Sequence, residues 1–235
     1  MIFRDNYFAL SIIVVMTPES QHQYFDTAYR TGSDIWTQTP YHQIALDMLP
    51  TVAPNSIVLD IGSGRGVWAF KLIEHGFRVI GLDYVRTIVD KVNADIKLHA
   101  YAEKARFVHG YATDLPFTDS SFPLITEIGV MQHLKIDQWG QYLSELYRVT
   151  EQNGYVLSIT LSSETPRFLG FTPKMNNQSP YTKFGVSYYF FSPEVLNPLF
   201  EKNGFEVVDQ KNHTFEIRSD PGDKLVLLFT LFRKK

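Results

Sequence analysis

Three glycines at alternate positions, Gly62, Gly64 and Gly66, follow the strand formers Ile57, Val58 and Leu59. They precede Val67-Trp68-Ala69-Phe70-Lys71-Leu72-Ile73, which reads as the start of a helix. Glycine accepts positive φ and lets a ligand approach the backbone closely, so a bound cofactor can lie against this turn. Asp60 sits just before it. A second acid, Asp83, ends the strand pattern Phe77-Arg78-Val79-Ile80-Gly81-Leu82-Asp83. An acid in that place reaches the ribose hydroxyls of a bound nucleotide and accepts two hydrogen bonds. His133 suits general-base work, because an imidazole titrates at about 6.5. The plainer reading of His133 is a histidine bonded to backbone at a helix start. Glu127, at the carboxyl end of a fourth strand, is a second candidate base, since open parallel sheets bind ligands there.

The elements that must position these groups alternate between strands and helices. Pro18 to Arg30 reads as a helix with Tyr24, Phe25 and Ala28 on one face. Thr39-Pro40 opens another, with Thr39 as N-cap and Ile44, Ala45, Met48 and Leu49 at helical spacing. A helix over Thr87–Ala102 leads to a third strand, Ala105–Gly110. The fourth strand lies within Ser121–Leu134, with Pro123 tolerated at its start because no donor is needed there. A helix over Asp137–Gln152, ended by Asn153-Gly154, leads to a fifth strand, Tyr155–Leu161. Residues 162–190 show no period and hold many aromatics, which predicts a lid over a pocket rather than a disordered loop. Ser192 and Pro193 open a helix to Asn203, and Phe205–Val208 and Lys224–Phe232 are the last strands. The glycine turn itself is expected at the surface.

The chain has 235 residues, 44% hydrophobic and 20% charged, as in an ordinary globular protein. A net charge of −3 argues against broad contact with nucleic acid, which needs a basic face. There are no cysteines, so neither disulfides nor thiolate chemistry enter. No H-x-x-x-H or similar pairing suggests a metal. The apolar run Tyr7–Met16 is shorter than a membrane span, and Thr17-Pro18-Glu19 is a poor signal-cleavage site. A soluble, cytoplasmic protein without a membrane partner is expected; Met16 is an alternative start, with residues 1–15 then not native.

Asp60-Ile61-Gly62-Ser63-Gly64-Arg65-Gly66 resembles the first motif of class I S-adenosylmethionine-dependent methyltransferases, and the type 11-like members in particular. Tyr111-Ala112-Thr113-Asp114-Leu115-Pro116-Phe117 resembles the family's adenine loop, with Tyr111 in place of the usual acid. The stretch Ser121–Leu134 resembles its fourth-strand motif, with Pro123 in place of another acid. The resemblance covers roughly residues 40–160. It implies a doubly wound, Rossmann-like α/β fold: a seven-stranded, mostly parallel sheet with the last strand antiparallel. Leading helices in residues 1–50 would cap a catalytic domain of residues 51–235, with a lid insertion at 162–190. The implied cofactor is S-adenosyl-L-methionine, leaving as S-adenosyl-L-homocysteine. Carried over residue by residue, its site would be Asp60, Ile61, Gly62, Ser63, Gly64, Gly66, Asp83, Tyr84, Ala112, Thr113, Asp114, Glu127 and Ile128, with the Glu127 carbonyl toward the methionine ammonium. The acceptor would be a small, partly apolar or aromatic molecule against Trp36, Tyr41, Tyr181, Phe184 and Tyr188, with Arg167 or Lys174 free to pair a carboxylate. His133 and Glu127 remain the catalytic candidates. Two other readings stay open, a nicotinamide-dependent oxidoreductase and a non-catalytic module that binds the same cofactor. The spacing G-x-G-x-G, with Val67 where dinucleotide binders place a third glycine, counts against the former.

Overall fold

Strand β1 (Ile57–Ile61) divides its side chains between two apolar layers, as the period of a strand requires: Val58 enters one, Leu59 and Ile61 the other. The computed structural model describes residues 18–38, 40–96, 100–166, 180–183, 185–216 and 224–235. Around β1 it arranges β2 (Arg78–Asp83), β3 (Ala105–His109), β4 (Phe122–Ile128), β5 (Thr150–Leu161), β8 (Phe205–Glu216) and β9 (Lys224–Lys234). Their order is β3-β2-β1-β4-β5-β9-β8, in one sheet of seven strands. Strands β1 to β5 pair in parallel, and β9 runs antiparallel to both β5 and β8. This is the expected doubly wound architecture.

Helices α3 (Val67–Glu74) and α4 (Arg86–Ile96) cover one face through Trp68, Leu72, Ile88 and Val92. Helices α5 (Ile136–Val149) and α6 (Pro193–Lys202) cover the other through Trp139, Leu143, Leu146 and Phe200. Phe200 stacks on Phe232 of β9 at 3.8 Å. Two leading helices, α1 (Pro18–Thr31) and α2 (His42–Asp47), join the first face, with a 3₁₀ turn at Ile35–Gln38 between them.

Several boundaries differ from the sequence reading. Helix α2 begins at His42 behind Tyr41 rather than at Pro40, and the expected cap Thr39 lies outside the described residues. Helix α4 ends at Ile96, and residues 100–104 form a turn before β3. Helix α5 gives way to β5 at Thr150, because Thr150 pairs with Phe122 and Asn153 takes a left-handed φ of 62°. Pro123 is the second residue of β4, not the first, and the ladder shifts register there between Phe122 and Leu124. Strand β8 runs to Glu216 rather than Val208, paired with β9 on both sides of a register shift between Val207 and Asp209. Its second half, Asp209-Gln210-Lys211-Asn212, is polar because it forms the sheet edge, which hid it from a hydrophobicity reading. The insertion after β5 is not wholly irregular: β6 (Tyr181–Lys183) and β7 (Val186–Tyr188) make an antiparallel hairpin. Residues 1–17, 167–179 and 184 lie outside the described residues, and with them Arg167, Lys174 and Phe184.

Candidate active site

The carboxyl ends of β1, β2, β3 and β4 open onto a cavity of about 920 Å³. It lies where the chain turns from β1 to β2 on one side and to β4 on the other, the switch point at which open α/β sheets bind ligands. Asp60, Ile61, Gly62, Ser63, Gly64, Asp83, Tyr84, Ala112, Thr113 and Ile128 all line it.

The glycine turn is held by main-chain and carboxylate bonds. The N–H groups of Gly62 and Ser63 donate to the Leu82 carbonyl at 2.7 and 3.0 Å. The Gly64 N–H donates to Asp83 Oδ2 and the Val85 N–H to Asp83 Oδ1, both at 2.9 Å. Asp83 is buried, and burial raises its pKa while these N–H donors oppose the rise. A carboxylate has about four acceptor sites, so Asp83 keeps lone pairs for hydroxyls in the cavity. Asp60 accepts from Thr126 Oγ1 at 3.0 Å, and its other oxygen is buried without a partner. Burial, with the nearby Asp83 charge adding to it, pushes Asp60 up to about 7.

Gly64 is not at the surface. It has a φ of 48°, and a Cβ there would come within 2.7 Å of Tyr29 Oη on α1. Helix α1 is therefore laid over the turn. Arg65 fastens it: Nη2 donates to the Tyr29 carbonyl at 2.6 Å, while Nη2 and Nε reach the Asp34 carboxylate at 2.8 Å each. Gly66 stands outside the cavity wall. A Cβ there would meet Phe107 at 2.8 Å, so this glycine serves the contact of α3 with the sheet.

The rest of the cavity wall is largely aromatic and aliphatic side chains. Trp36, Tyr41 and Tyr188 line it as expected, joined by Tyr24 and Phe25 of α1, Trp68 of α3, Phe215 of β8, and Leu225 and Leu227 of β9. The sequence reading missed these additions. Tyr24 and Phe25 were assigned to a helix face, but what that face covers depends on where the helix docks. In β9 the alternation that puts Leu225 and Leu227 on one face was hidden, because Val226 and Leu228 make the run apolar on both. Tyr181 is partly exposed and outside the cavity. Asp114 is also outside it, donating its N–H to the Tyr111 carbonyl at 3.0 Å, whereas Tyr111 lines the cavity.

Glu127 is turned to another task, and His133 is bonded to backbone, as its plainer reading has it. The Glu127 carboxylate faces away from the cavity, because it accepts the N–H groups of Val130 and Met131 at 3.2 Å each and the Ser158 hydroxyl. It anchors the turn after β4 rather than reaching an acceptor, and burial pushes its pKa up to about 7. His133 lines the cavity in the 3₁₀ turn Met131–His133. Its Nδ1 lies 2.8 Å from the Ser187 carbonyl, and its ring meets Phe25 and Tyr188 edge-on at 5.3 and 5.0 Å. Burial lowers its pKa to about 4, with the Ser187 bond opposing. At neutral pH this imidazole is uncharged and a weak base.

Residues 58–154 match the model of the methyltransferase domain. A probable S-adenosylmethionine-dependent methyltransferase of Mycolicibacterium smegmatis is 30% identical over 72% of this chain and 59% of its own length. Residues 58–154 thus carry a methyltransferase domain similar to that of S-adenosylmethionine-dependent methyltransferases. A demethylmenaquinone methyltransferase of Bacillus cereus is 27% identical over 71% of this chain and 76% of its own. In fold, the chain matches the 1,6-didemethyltoxoflavin-N1-methyltransferase of Burkholderia thailandensis, solved with 1,6-didemethyltoxoflavin and S-adenosylhomocysteine, at a TM-score of 0.72. That match covers 91% of this chain and 87% of the other at 22% identity. The chain thus spans 59% of the length of the M. smegmatis relative and 76% of the B. cereus one. These likenesses select S-adenosylmethionine over a nicotinamide as the cofactor. The residues present fit it: a cationic ligand suits a wall with two buried acids, one with an orphaned oxygen. Among the described residues, no helix of the chain is long and apolar enough to cross a membrane.

Proposed function

We propose that this chain transfers a methyl group from S-adenosylmethionine to a small, partly apolar or aromatic molecule. The observation that carries the reading is one cavity whose wall joins acids and glycines at the strand ends to aromatic side chains brought by other elements. Its volume of about 920 Å³ falls at the upper end of small-ligand sites, which run to about 1,000 Å³, and leaves room for two molecules. The names of the relatives, one carrying a quinone and one toxoflavin, support an acceptor with a ring.

When bound, the cofactor supplies an activated methyl group: its sulfur–carbon bond breaks as the acceptor–carbon bond forms, sulfur keeps the electron pair, and the acceptor's proton passes to water. The protein's part is positioning and exclusion of water. Asp83 would hold the ribose, the turn Gly62–Gly64 and Ile128 would bound the cofactor, and Ala112 and Thr113 would hold its base. Tyr41, Trp36 and Tyr188 would present the acceptor. Residues 51–235 would form the catalytic domain and the described leading helices its cap.

Calorimetry with S-adenosylhomocysteine and NADH, followed by incubation of labelled S-adenosylmethionine with aromatic hydroxyl and amine acceptors, tests the reading. The expected result is one site for S-adenosylhomocysteine, none for NADH, and label in a ring acceptor. Binding without transfer to any acceptor would favour the non-catalytic module.

A further inference from the structure

The acceptor end contains one pair of polar side chains whose hydrogen-bond roles follow from their backbone partners. The Leu161 N–H lies 2.8 Å from Gln132 Oε1. A backbone N–H only donates, so the Gln132 oxygen must face it and the NH₂ must face the other way, toward His133 Nε2 at 3.3 Å. The Ser187 carbonyl only accepts, so His133 carries its proton on Nδ1. His133 Nε2 is then an unprotonated acceptor, lightly held by a long amide bond. Each residue is also fixed through its main chain. The Tyr189 N–H donates to the Gln132 carbonyl at 2.9 Å, and Gln21 Nε2 to the His133 carbonyl at 3.1 Å.

We propose that Gln132 is a positioning residue for methyl transfer: it holds His133 as a neutral hydrogen-bond acceptor, and the pair selects acceptors that present an O–H or N–H to His133 Nε2. The inference rests on the reading that the aromatic end takes the acceptor. Both side chains line the cavity, and Gln132 is only 8% exposed. An incoming hydroxyl can displace the long amide bond, donating to the Nε2 lone pair while its oxygen accepts from the released Gln132 NH₂. Its reacting atom is thereby fixed by two bonds in a wall made largely of aromatic and aliphatic side chains. As the acceptor–methyl bond forms, the proton held at Nε2 leaves to water. The groups packed on His133 do not compete for this role. Tyr188 of β7 and Tyr24 of α1, which bond to one another, are both held above the usual tyrosine range by burial. Phe25 is apolar, the Glu127 carboxylate is spent on its own turn, and Lys135 is exposed beyond it.

The substitution Gln132→Glu tests this with little change of shape. One carboxylate oxygen can still accept from Leu161, while the other turns a donor into an acceptor and draws a proton onto His133 Nε2. Nitrogen NMR of the imidazoles should show wild-type His133 as the neutral Nδ1–H tautomer from about pH 5.5 to 8, and the variant cationic at about pH 6.5. With 1,4-naphthohydroquinone as probe, the variant should be about tenfold slower at that pH and recover as His133 loses its proton, with S-adenosylhomocysteine affinity unchanged within about twofold. The proton-free analogue 1,4-dimethoxynaphthalene should neither react nor compete. The inference is overturned by an Nε2–H tautomer in the wild type, which needs no variant. It is overturned equally by an unchanged pH–rate profile in a variant with a cationic His133, or by competition from the dimethoxy analogue. A wild type that binds S-adenosylhomocysteine but methylates no ring hydroxyl or amine would sink the acceptor reading itself.

Discussion

At the cofactor end, the main-chain N–H groups of Gly62, Ser63 and Gly64 donate to residues at a strand end, Leu82 and Asp83, and Asp60 accepts from Thr126 across from it. At the acceptor end, the contacts join α1, the turn at His133 and the β6–β7 hairpin. Gln21 bonds to His133 across 112 positions and to Ser187 across 166. The first end is made by the sheet, and its chemistry is fixed by backbone geometry that any doubly wound fold supplies. The second is made by elements added around the sheet, and its chemistry is free to differ between chains of one fold.

Removing Asp83 should show the difference at its largest. Asp83→Ala leaves the Gly64 and Val85 N–H groups without their acceptor, at about 1–3 kcal/mol for each buried unpaired donor. We expect unfolding free energy to fall by about 3 kcal/mol and S-adenosylhomocysteine affinity to fall at least about tenfold, read by denaturant titration and calorimetry. Unchanged affinity in a folded variant would mean that Asp83 only braces the turn.

A smaller effect separates the two ends from the turn that joins them. Burial raises Glu127 to about 7, above its ordinary 4.5, so the folded protein favours the protonated carboxyl. The stability it contributes is full below about pH 4.5 and is lost as pH rises through about 7. Glu127→Gln can keep all three bonds, with its oxygen toward Val130 and Met131 and its NH₂ toward Ser158. It should be more stable than wild type by about 1–2 kcal/mol at pH 8, and the gap should close toward pH 4.5. A gap independent of pH across denaturant midpoints would assign the effect to packing.

Smallest is Tyr188→Phe, which keeps the ring against His133 and removes the hydroxyl bonded to Tyr24. A loss of about 1 kcal/mol should appear as a severalfold rise in acceptor KM, with S-adenosylhomocysteine affinity unmoved. A matching fall in cofactor affinity would show that the two ends are not separable.

The same contrast explains how much was legible in the sequence. Strand, glycine turn and helix are contiguous, so Gly62, Gly64 and Asp83 could be placed from residue type and order alone. What neighbours do was not legible there: Gly66 meets Phe107, and Gly64 is roofed by Tyr29, because both partners arrive from other elements. At the acceptor end, Trp36, Tyr41 and Tyr188 could be named as aromatics of the right segments. Gln132 could not, since its role follows from Leu161 and Ser187, which no period or spacing ties to it. Glu127 misled for a related reason: a carboxylate at a strand end can turn back onto the next turn's N–H groups, and sequence does not say which way it faces.

Helix α1 touches both ends at once, with Tyr29 over Gly64 and Gln21 between His133 and Ser187. Any factor by which bound cofactor tightens acceptor binding must, by thermodynamic linkage, equal the factor by which acceptor tightens cofactor binding. Whichever ligand arrives first and orders this helix reduces the entropy that remains to be lost when the second arrives. The strength of this coupling is then tied to the stability of one 14-residue element, which contacts outside the cavity can tune. The Thr87 hydroxyl bonded to Asp26 is one such contact.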